Sequence, residues 1–113
     1  MARYKLVTQT RPVEGREAEY NEWFQNVHMR QVVALPGFRG AQRYRLARSL
    51  DPSPPAPYLA IYDIETTDID AVLGGLLNAS QRGLLTMCDA FLNEPQHRIA
   101  AIYEEFGEPV CAG

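Results

Sequence analysis

The stretch YNEWFQNVHMRQVVALPGFRGAQRYRL, residues 20–46, decides the fold, because a helical pattern in it ends at a proline-glycine pair and a strand pattern follows. The residues that share one helical face recur at three- and four-residue steps: Tyr20, Trp23, Phe24, Val27, Gln31 and Leu35. Pro36 and Gly37 end the helix, since proline lacks an amide hydrogen and glycine tolerates a left-handed turn. At about 100° per residue, His28 projects roughly 80° from the middle of this face, at its border. An imidazole at that border can reach a pocket, so His28 is the first candidate functional residue.

The composition predicts one globular domain that spans residues 1–113. Hydrophobic residues make up 46% of the chain and aromatic residues 10%, which is typical of a packed core and not of a disordered segment. The formal net charge is −3 and the isoelectric point is near 5.3. A protein that binds nucleic acid normally carries a clustered positive excess, so we expect no nucleic-acid partner.

We expect a cytoplasmic protein with reduced thiols and no membrane partner. The chain has no apolar run long enough to span a bilayer, and its first ten residues lack the apolar centre of a signal peptide. Cys88 and Cys111 form no CxxC pair, and the two histidines, His28 and His97, are far apart. The sequence therefore predicts neither a disulfide framework nor a metal site.

Four strand patterns and a second helix complete the organisation. The strands are expected at residues 3–10, 38–47, 58–64 and 98–104, with a proline-rich loop at 51–57. The run at 58–64, YLAIYDI, is predicted to be an inner strand that is buried on both faces. The second helix begins near Thr67 or Asp68 as the cap, and after a bend at Gly83 the helical pattern resumes over residues 84–92.

The resulting order is strand, helix, strand, strand, helix, strand. It predicts the α+β class, in the ferredoxin-like βαββαβ arrangement, with a four-stranded antiparallel sheet and both helices on one face. The other face is expected to carry aromatic strand residues, which makes exposure to water unfavourable, and a symmetric homodimer that packs sheet against sheet resolves this. These aromatic residues are Tyr4, Tyr44, Tyr58, Tyr62 and Tyr103.

The helix-to-strand block resembles that of small EthD-like members of the dimeric α/β-barrel superfamily, and the likeness covers nearly the whole chain. The block reads WY-x-x-x-H-L-P-x-V-x-x-x-PGF in that family, followed by a basic-aromatic pair. The matching positions here are Trp23, Phe24, His28, Met29, Arg30, Val32, Pro36, Gly37, Phe38, Arg43 and Tyr44. The departure is Met29-Arg30-Gln31, where many members carry leucine, proline and an acid. If an acid orients the family's histidine as a base, Gln31 is left to hydrogen-bond the imidazole here.

Three residues are candidates for catalysis. His28 titrates near neutrality and can exchange a proton with a ligand, or it can cap its helix or bond a backbone carbonyl. Asp63 interrupts an apolar strand and needs a hydrogen-bond donor, although it can also lie in water or pair with Arg43 or Arg45. Tyr44 can present its phenol to a ligand or pack as an aromatic with one wet end.

Further residues are candidates for substrate binding. Strand alternation places Arg39, Arg43 and Arg45 on one side of the second strand, where a carboxylate or enolate can bind, or where the arginines are simply solvated. The rings of Trp23 and Phe24 can form a pocket wall or pack between helix and sheet. The remaining candidates are Gln31, Tyr62 and His97, the last in a loop where an exposed histidine is common.

The residues favour a cofactor-free enzyme that performs acid-base chemistry of the isomerase, cyclase, dehydratase or lyase type. The substrate would be an aromatic, lactone or polyketide-like small molecule of aromatic-compound catabolism, with His28 as proton shuttle. One alternative is a non-catalytic dimeric binding protein or an accessory protein of a catabolic or biosynthetic cluster. Another is an oxygenase, either cofactor-free or with haem bound through His28 or His97, since other dimeric α/β-barrel branches bind haem.

Overall fold

The computed structural model describes residues 1–113, which form four strands and two helical regions in the predicted order. The strands are β1 (Ala2–Thr10), β2 (Phe38–Arg45), β3 (Tyr58–Thr66) and β4 (Ile99–Glu104). They pair antiparallel in the order β2-β3-β1-β4. The central strands are therefore β1 and β3, which are not consecutive in the chain. This confirms the ferredoxin-like α+β prediction. No helix is long and apolar enough to cross a membrane.

The first helical region consists of three consecutive segments, which together we term the first helix. They are α1 (Glu17–Trp23), a π-helical turn (Phe24–His28) and α2 (Met29–Val33). It ends before Gly37, whose φ of +92° is the left-handed conformation that the sequence predicted. The second helical region is α3 (Ile69–Gln81), and Asp68 caps it by accepting a hydrogen bond of 3.1 Å from the amide of Ala71.

The sheet has a helix side and an open side. On β3, alternate residues Tyr58, Ala60, Tyr62 and Ile64 are buried in the core, while the residues between them are only partly covered. The prediction of a strand buried on both faces is therefore wrong for the single chain. Register places Tyr4, Tyr58 and Tyr62 together on the helix side, so of the five predicted tyrosines only Tyr44 and Tyr103 lie on the open side.

A register shift at the start of β2 changes which of its side chains share a face. Phe38 pairs with Ile64, but the next paired residue, Gly40, lies opposite Asp63, so Arg39 is the extra residue of a bulge. Beyond the bulge, Arg43 pairs with Ala60 and Arg45 with Tyr58, on the helix side. The predicted single face of three arginines is thus wrong for Arg39, which is exposed.

Residues 84–92 are not helical, in contrast to the prediction. Gly83 has a φ of +69° and ends α3, and the following segment runs irregularly past the first helix. Hydrogen bonds to distant elements hold it there: the amide of Val13 donates to the carbonyl of Ala90, and the amide of Leu92 donates to the carbonyl of Arg11. These long-range bonds satisfy backbone groups that a helix would otherwise satisfy locally.

Candidate functional site

His28 lies at the end of the π-helical turn, packed between two aromatic rings. Its imidazole stacks on Trp23 with 4.7 Å between ring centroids and 26° between planes, and it meets Phe24 edge to face at 5.1 Å. A π turn closes i to i+5 bonds, so it brings residues five apart, such as Trp23 and His28, onto the same side. His28 therefore turns further into the apolar face than a regular helix would place it.

Burial leaves the His28 ring neutral. Its Nδ1 atom is buried and has no hydrogen-bond partner, and desolvation lowers the pKa of the imidazole to about 4. The Nε2 atom is not among the buried unpartnered atoms, and no hydrogen bond occupies it, so it is the nitrogen that a ligand or water can reach. At neutral pH the side chain is an uncharged imidazole with one accessible nitrogen.

The surroundings of His28 do not fit haem. An axial imidazole must face an open space as wide as the porphyrin, whereas this ring is covered by indole on one side and by phenyl at its edge. His97, the other histidine, lies in a short 3₁₀ turn (Pro95–His97) and borders a polar cleft with Gln9, Arg11 and Arg98. It lies just before the start of β4, whereas His28 lies in the first helix.

The structure does not bring the other predicted catalytic residues to His28. Asp63 lies on the open side of the sheet, where it pairs with Lys5 across from it on β1, rather than with Arg43 or Arg45. Tyr44 also projects from the open side and is 49% exposed. Gln31 is engaged elsewhere, because its amide accepts from the backbone of Thr86 at 2.8 Å and donates to the Thr86 hydroxyl at 3.0 Å.

Arg43 is the centre of a second group of functional side chains. Its guanidinium carbon lies 4.7 Å from the ring centre of Phe24, 5.3 Å from that of Tyr58 and 5.6 Å from that of Tyr20. One Nη2 hydrogen bond of 2.7 Å joins it to Oδ1 of Asn21. Its partner in the register is Ala60, whose small side chain leaves room for the guanidinium beneath the first helix.

The tyrosines around Arg43 are mostly engaged in hydrogen bonds or in core packing. Tyr20 and the hydroxyl of Thr10 share a short hydrogen bond, and burial raises the pKa of the Tyr20 phenol. The hydroxyl of Tyr58 donates to Glu17 and accepts a 3.1 Å hydrogen bond from Nδ2 of Asn21. Tyr62 is 1% exposed, and burial likewise raises the pKa of its phenol, so it packs in the core.

A cleft of about 670 Å³ opens beside Trp23. Trp23 is held in place because its Nε1 donates a 2.8 Å hydrogen bond to the carbonyl of Thr86. The cleft also contains Glu19, Cys88 and Asp89, whose donor atoms lie within 4.8 Å of one another. Arg16 already bonds both carboxylates, at 2.5 Å to Glu19 and 2.6 Å to Asp89, so their charge is compensated within the chain.

Sequence reasoning missed the residues that hold Arg43 and Trp23. Asn21 accepts from Arg43 and donates to Tyr58, and Thr86 bonds both Trp23 and Gln31, so all of these partners lie far away in the chain. Asn21 had one weak signal, since it is a polar residue next to the apolar face of the first helix. Thr86 had none, because residues 84–92 carried a helical pattern.

Two solved structures align with nearly all of the chain. One is a candidate monooxygenase from Shewanella loihica PV-4, with a TM-score of 0.61 and 12% sequence identity over 96% of this chain and 99% of that one. The other is an EthD family protein from Bacillus halodurans C-125 whose name refers to ethyl tert-butyl ether, with a TM-score of 0.61 and 17% identity over 94% and 100%. No family model and no curated protein sequence matches the chain. The chain thus has the ferredoxin-like fold, as the resemblance in its helix-to-strand block predicted.

Proposed function

We propose that the chain is a small cofactor-independent enzyme that moves a proton on an aromatic, lactone or polyketide-like compound, with His28 as acceptor and donor. The observation that carries this proposal is the neutral imidazole of His28, packed between Trp23 and Phe24 with one unpartnered buried nitrogen. Such a group is poised to hold a proton only briefly, since its surroundings disfavour the charged form.

The proton transfer would follow from this electrostatic environment. Nε2 of His28 takes a proton from a carbon next to a carbonyl, and the electrons of the broken C–H bond move onto the carbonyl oxygen as an enolate. The enolate beside it stabilises the imidazolium, which burial alone makes unfavourable. Return of the proton to a different atom completes an isomerisation. In a cyclase, the enolate carbon attacks a second carbonyl of the same molecule, and the alkoxide that forms takes the proton from His28. In a dehydratase or lyase, the enolate electrons expel a leaving group from the neighbouring carbon, and that group takes the proton from His28.

A ligand screen tests this proposal. Aromatic acids, lactones and polyketide-like phenols are tested by thermal shift against the wild type and His28→Ala, and every compound that stabilises the protein is then analysed for products. We expect a compound that stabilises both proteins and is transformed only by the wild type. Equal transformation by both proteins would reject His28 as the proton carrier.

A second candidate function is a non-catalytic protein that binds a small molecule or serves as an accessory subunit. It is favoured by one specific observation: no carboxylate orients His28, because its buried Nδ1 has no hydrogen-bond partner. The two residues considered for that position are engaged elsewhere, Asp63 with Lys5 and Gln31 with Thr86. In the same screen, this candidate predicts stabilisation by a ligand without transformation by either protein.

An oxygenase without cofactor is the third candidate, supported by the likeness of the fold to the Shewanella loihica candidate monooxygenase. Here an electron-rich substrate would supply the reducing equivalents, and His28 would deprotonate it before oxygen reacts. Oxygen uptake measured with each stabilising compound distinguishes this chemistry, because the isomerase, cyclase, dehydratase and lyase reactions consume no oxygen.

We also propose that the protein is a homodimer that packs through the open side of the sheet. Exposure of many apolar side chains on one face to water is unfavourable, and a second copy of the chain would bury them. The partly or fully exposed apolar residues on this side are Val7, Tyr44, Leu59, Ile61, Ile99, Ala101 and Tyr103. Ile61→Lys should convert the dimer to a monomer in sedimentation equilibrium. Leu73→Lys is the matched control, since Leu73 is an exposed leucine on α3, and it should leave the mass unchanged.

A further inference from the structure

A cleft at the end of β2 concentrates positive charge in a protein whose net charge is negative. It has a volume of about 270 Å³ and is lined by Asn21, Arg43, Tyr44, Arg45 and Tyr58, and we term it the Arg43 cleft. Its lining holds two guanidinium groups and no carboxylate, although Glu17 lies next to it as the acceptor for the Tyr58 hydroxyl. The whole chain carries a formal charge of −3, so this is a local reversal of sign.

Arg43 lacks the ionic partner that a half-buried charge normally has. The ion pairs of the chain join Arg3 to Glu65, Lys5 to Asp63, and Arg16 to Glu19 and Asp89, and none includes Arg43. Its guanidinium donates a hydrogen bond to Asn21, and no nitrogen of Arg43 is both buried and without a partner. The donors that remain are therefore open to water or to a ligand, and they form a planar fork that fits an oxyanion.

The guanidinium is also fixed in position before any ligand arrives. Three aromatic faces, those of Tyr20, Phe24 and Tyr58, hold the plane of Arg43, and Asn21 fixes its direction. Asn21 is itself anchored, because its other amide atom donates to the Tyr58 hydroxyl. Little side-chain entropy would be lost when an anion binds, which favours binding.

We propose that the Arg43 cleft binds the carboxylate of a small organic acid, with the guanidinium groups of Arg43 and Arg45 on the carboxylate oxygens. The planar fork of a guanidinium selects a planar oxyanion, and the volume of the cleft lies just below that of clefts for drug-sized ligands. As the anchor of a substrate this site rests on the proposed function, whereas binding of the acid does not require it.

The anchor and the proton carrier are close but separate. The ring of Phe24 lies 4.7 Å from the guanidinium carbon of Arg43 and 5.1 Å from the centre of the His28 ring, so these two groups are at most about 10 Å apart. The carboxylate at Arg43 is therefore not the group that reacts.

Titration calorimetry with benzoate tests the site, with benzamide as the neutral analogue and inorganic phosphate as the non-planar anion. We expect saturable benzoate binding that weakens as ionic strength rises, with benzamide and phosphate each bound at least about fivefold more weakly. Equal binding of benzamide or of phosphate would overturn the carboxylate assignment, as would no saturable binding of benzoate.

Variants locate the site within the chain. Arg43→Lys keeps the charge and loses the fork, and Arg45→Gln removes an exposed cation with little risk to folding; each should weaken benzoate binding by about fivefold or more. Arg39→Gln removes the same charge from the same strand outside the cleft and should change nothing. If Arg39→Gln weakens binding as much as Arg45→Gln does, general attraction explains the binding and the site is rejected.

His28→Ala separates this inference from the proposed function. Benzoate binding should be the same in His28→Ala as in the wild type, because His28 does not line the cleft. Loss of benzoate binding in the Arg43 and Arg45 variants, together with full turnover by His28→Ala, would retain the site and reject the proton carrier. Turnover that depends on His28, with benzoate binding unaffected by either arginine, would do the reverse.

Discussion

The two sides of the sheet use their polar residues in different ways. On the helix side, His28 and Arg43 lie among aromatic rings with unfilled hydrogen-bonding capacity. On the open side, Lys5 pairs with Asp63 and Arg3 with Glu65, and each of these four side chains is at least 40% exposed. A buried polar group with an unused donor or acceptor is energetically unfavourable and so indicates a ligand, whereas an exposed ion pair is nearly neutral in energy and indicates no more than solubility.

The largest effect is expected where the helix side is closely packed. Gly37→Ala should destabilise the protein by about 3 kcal/mol, because alanine is strained at a φ of +92° and its Cβ would lie 2.5 Å from Cγ2 of Val72. Chemical denaturation measures the change. Gly40→Ala is the matched control in β2, since nothing lies within 4 Å of its added Cβ, and its effect should be below about 0.5 kcal/mol. Equal effects of the two substitutions would contradict the close packing at Gly37.

Acid should destabilise the protein through His28. The folded-state pKa of about 4 lies below the ordinary value of 6.5, so the unfolded chain binds a proton that the folded chain does not. Stability that is present above pH 6.5 is therefore lost as pH falls towards 4, by up to roughly 3 kcal/mol from this residue. His28→Gln removes the titration, so the free energy of unfolding of the wild type relative to the variant should fall over this window. A constant difference would contradict the buried neutral ring.

The smallest effect is expected on the open side. A double-mutant cycle of Lys5→Ala and Asp63→Ala should give a coupling energy of about 0.2–1 kcal/mol that weakens in high salt, because the two side chains are 54% and 51% exposed. The measurement is best made on the Ile61→Lys background, where the proposed dimer is absent. A coupling of several kcal/mol on that background would show that this face is not solvated.

The order of strands and helices along the chain could be predicted from the sequence, because alternation and turn residues are local signals. Gly37 marks the end of the first helix through its left-handed turn, and Asp68 marks the start of α3 through its side-chain cap. The expected topology then places helix and sheet without any knowledge of side-chain contacts.

The details of the site could not be predicted, because each depends on a small irregularity or a distant partner. A π turn changes the direction of His28, and a one-residue bulge at Arg39 moves Arg43 to the helix side. Neither the π turn nor the bulge can be detected from the periodicity of hydrophobic residues in the sequence. The segment that contains Thr86 has a helical pattern, yet its bonds to Gln31 and Trp23 keep it irregular. The sequence left open whether Asp63 is buried, lies in water or pairs with an arginine of β2, and only the register shows that Lys5 lies opposite it.

The most direct test of this account is an NMR titration of the His28 imidazole, with its signals assigned by comparison with His28→Gln. The buried ring is expected to stay neutral until the pH approaches about 4. A pKa at or above the ordinary value of 6.5 would contradict it, because the imidazole would then be solvated or paired with an acid, and not the buried neutral group on which the proposed proton transfer depends.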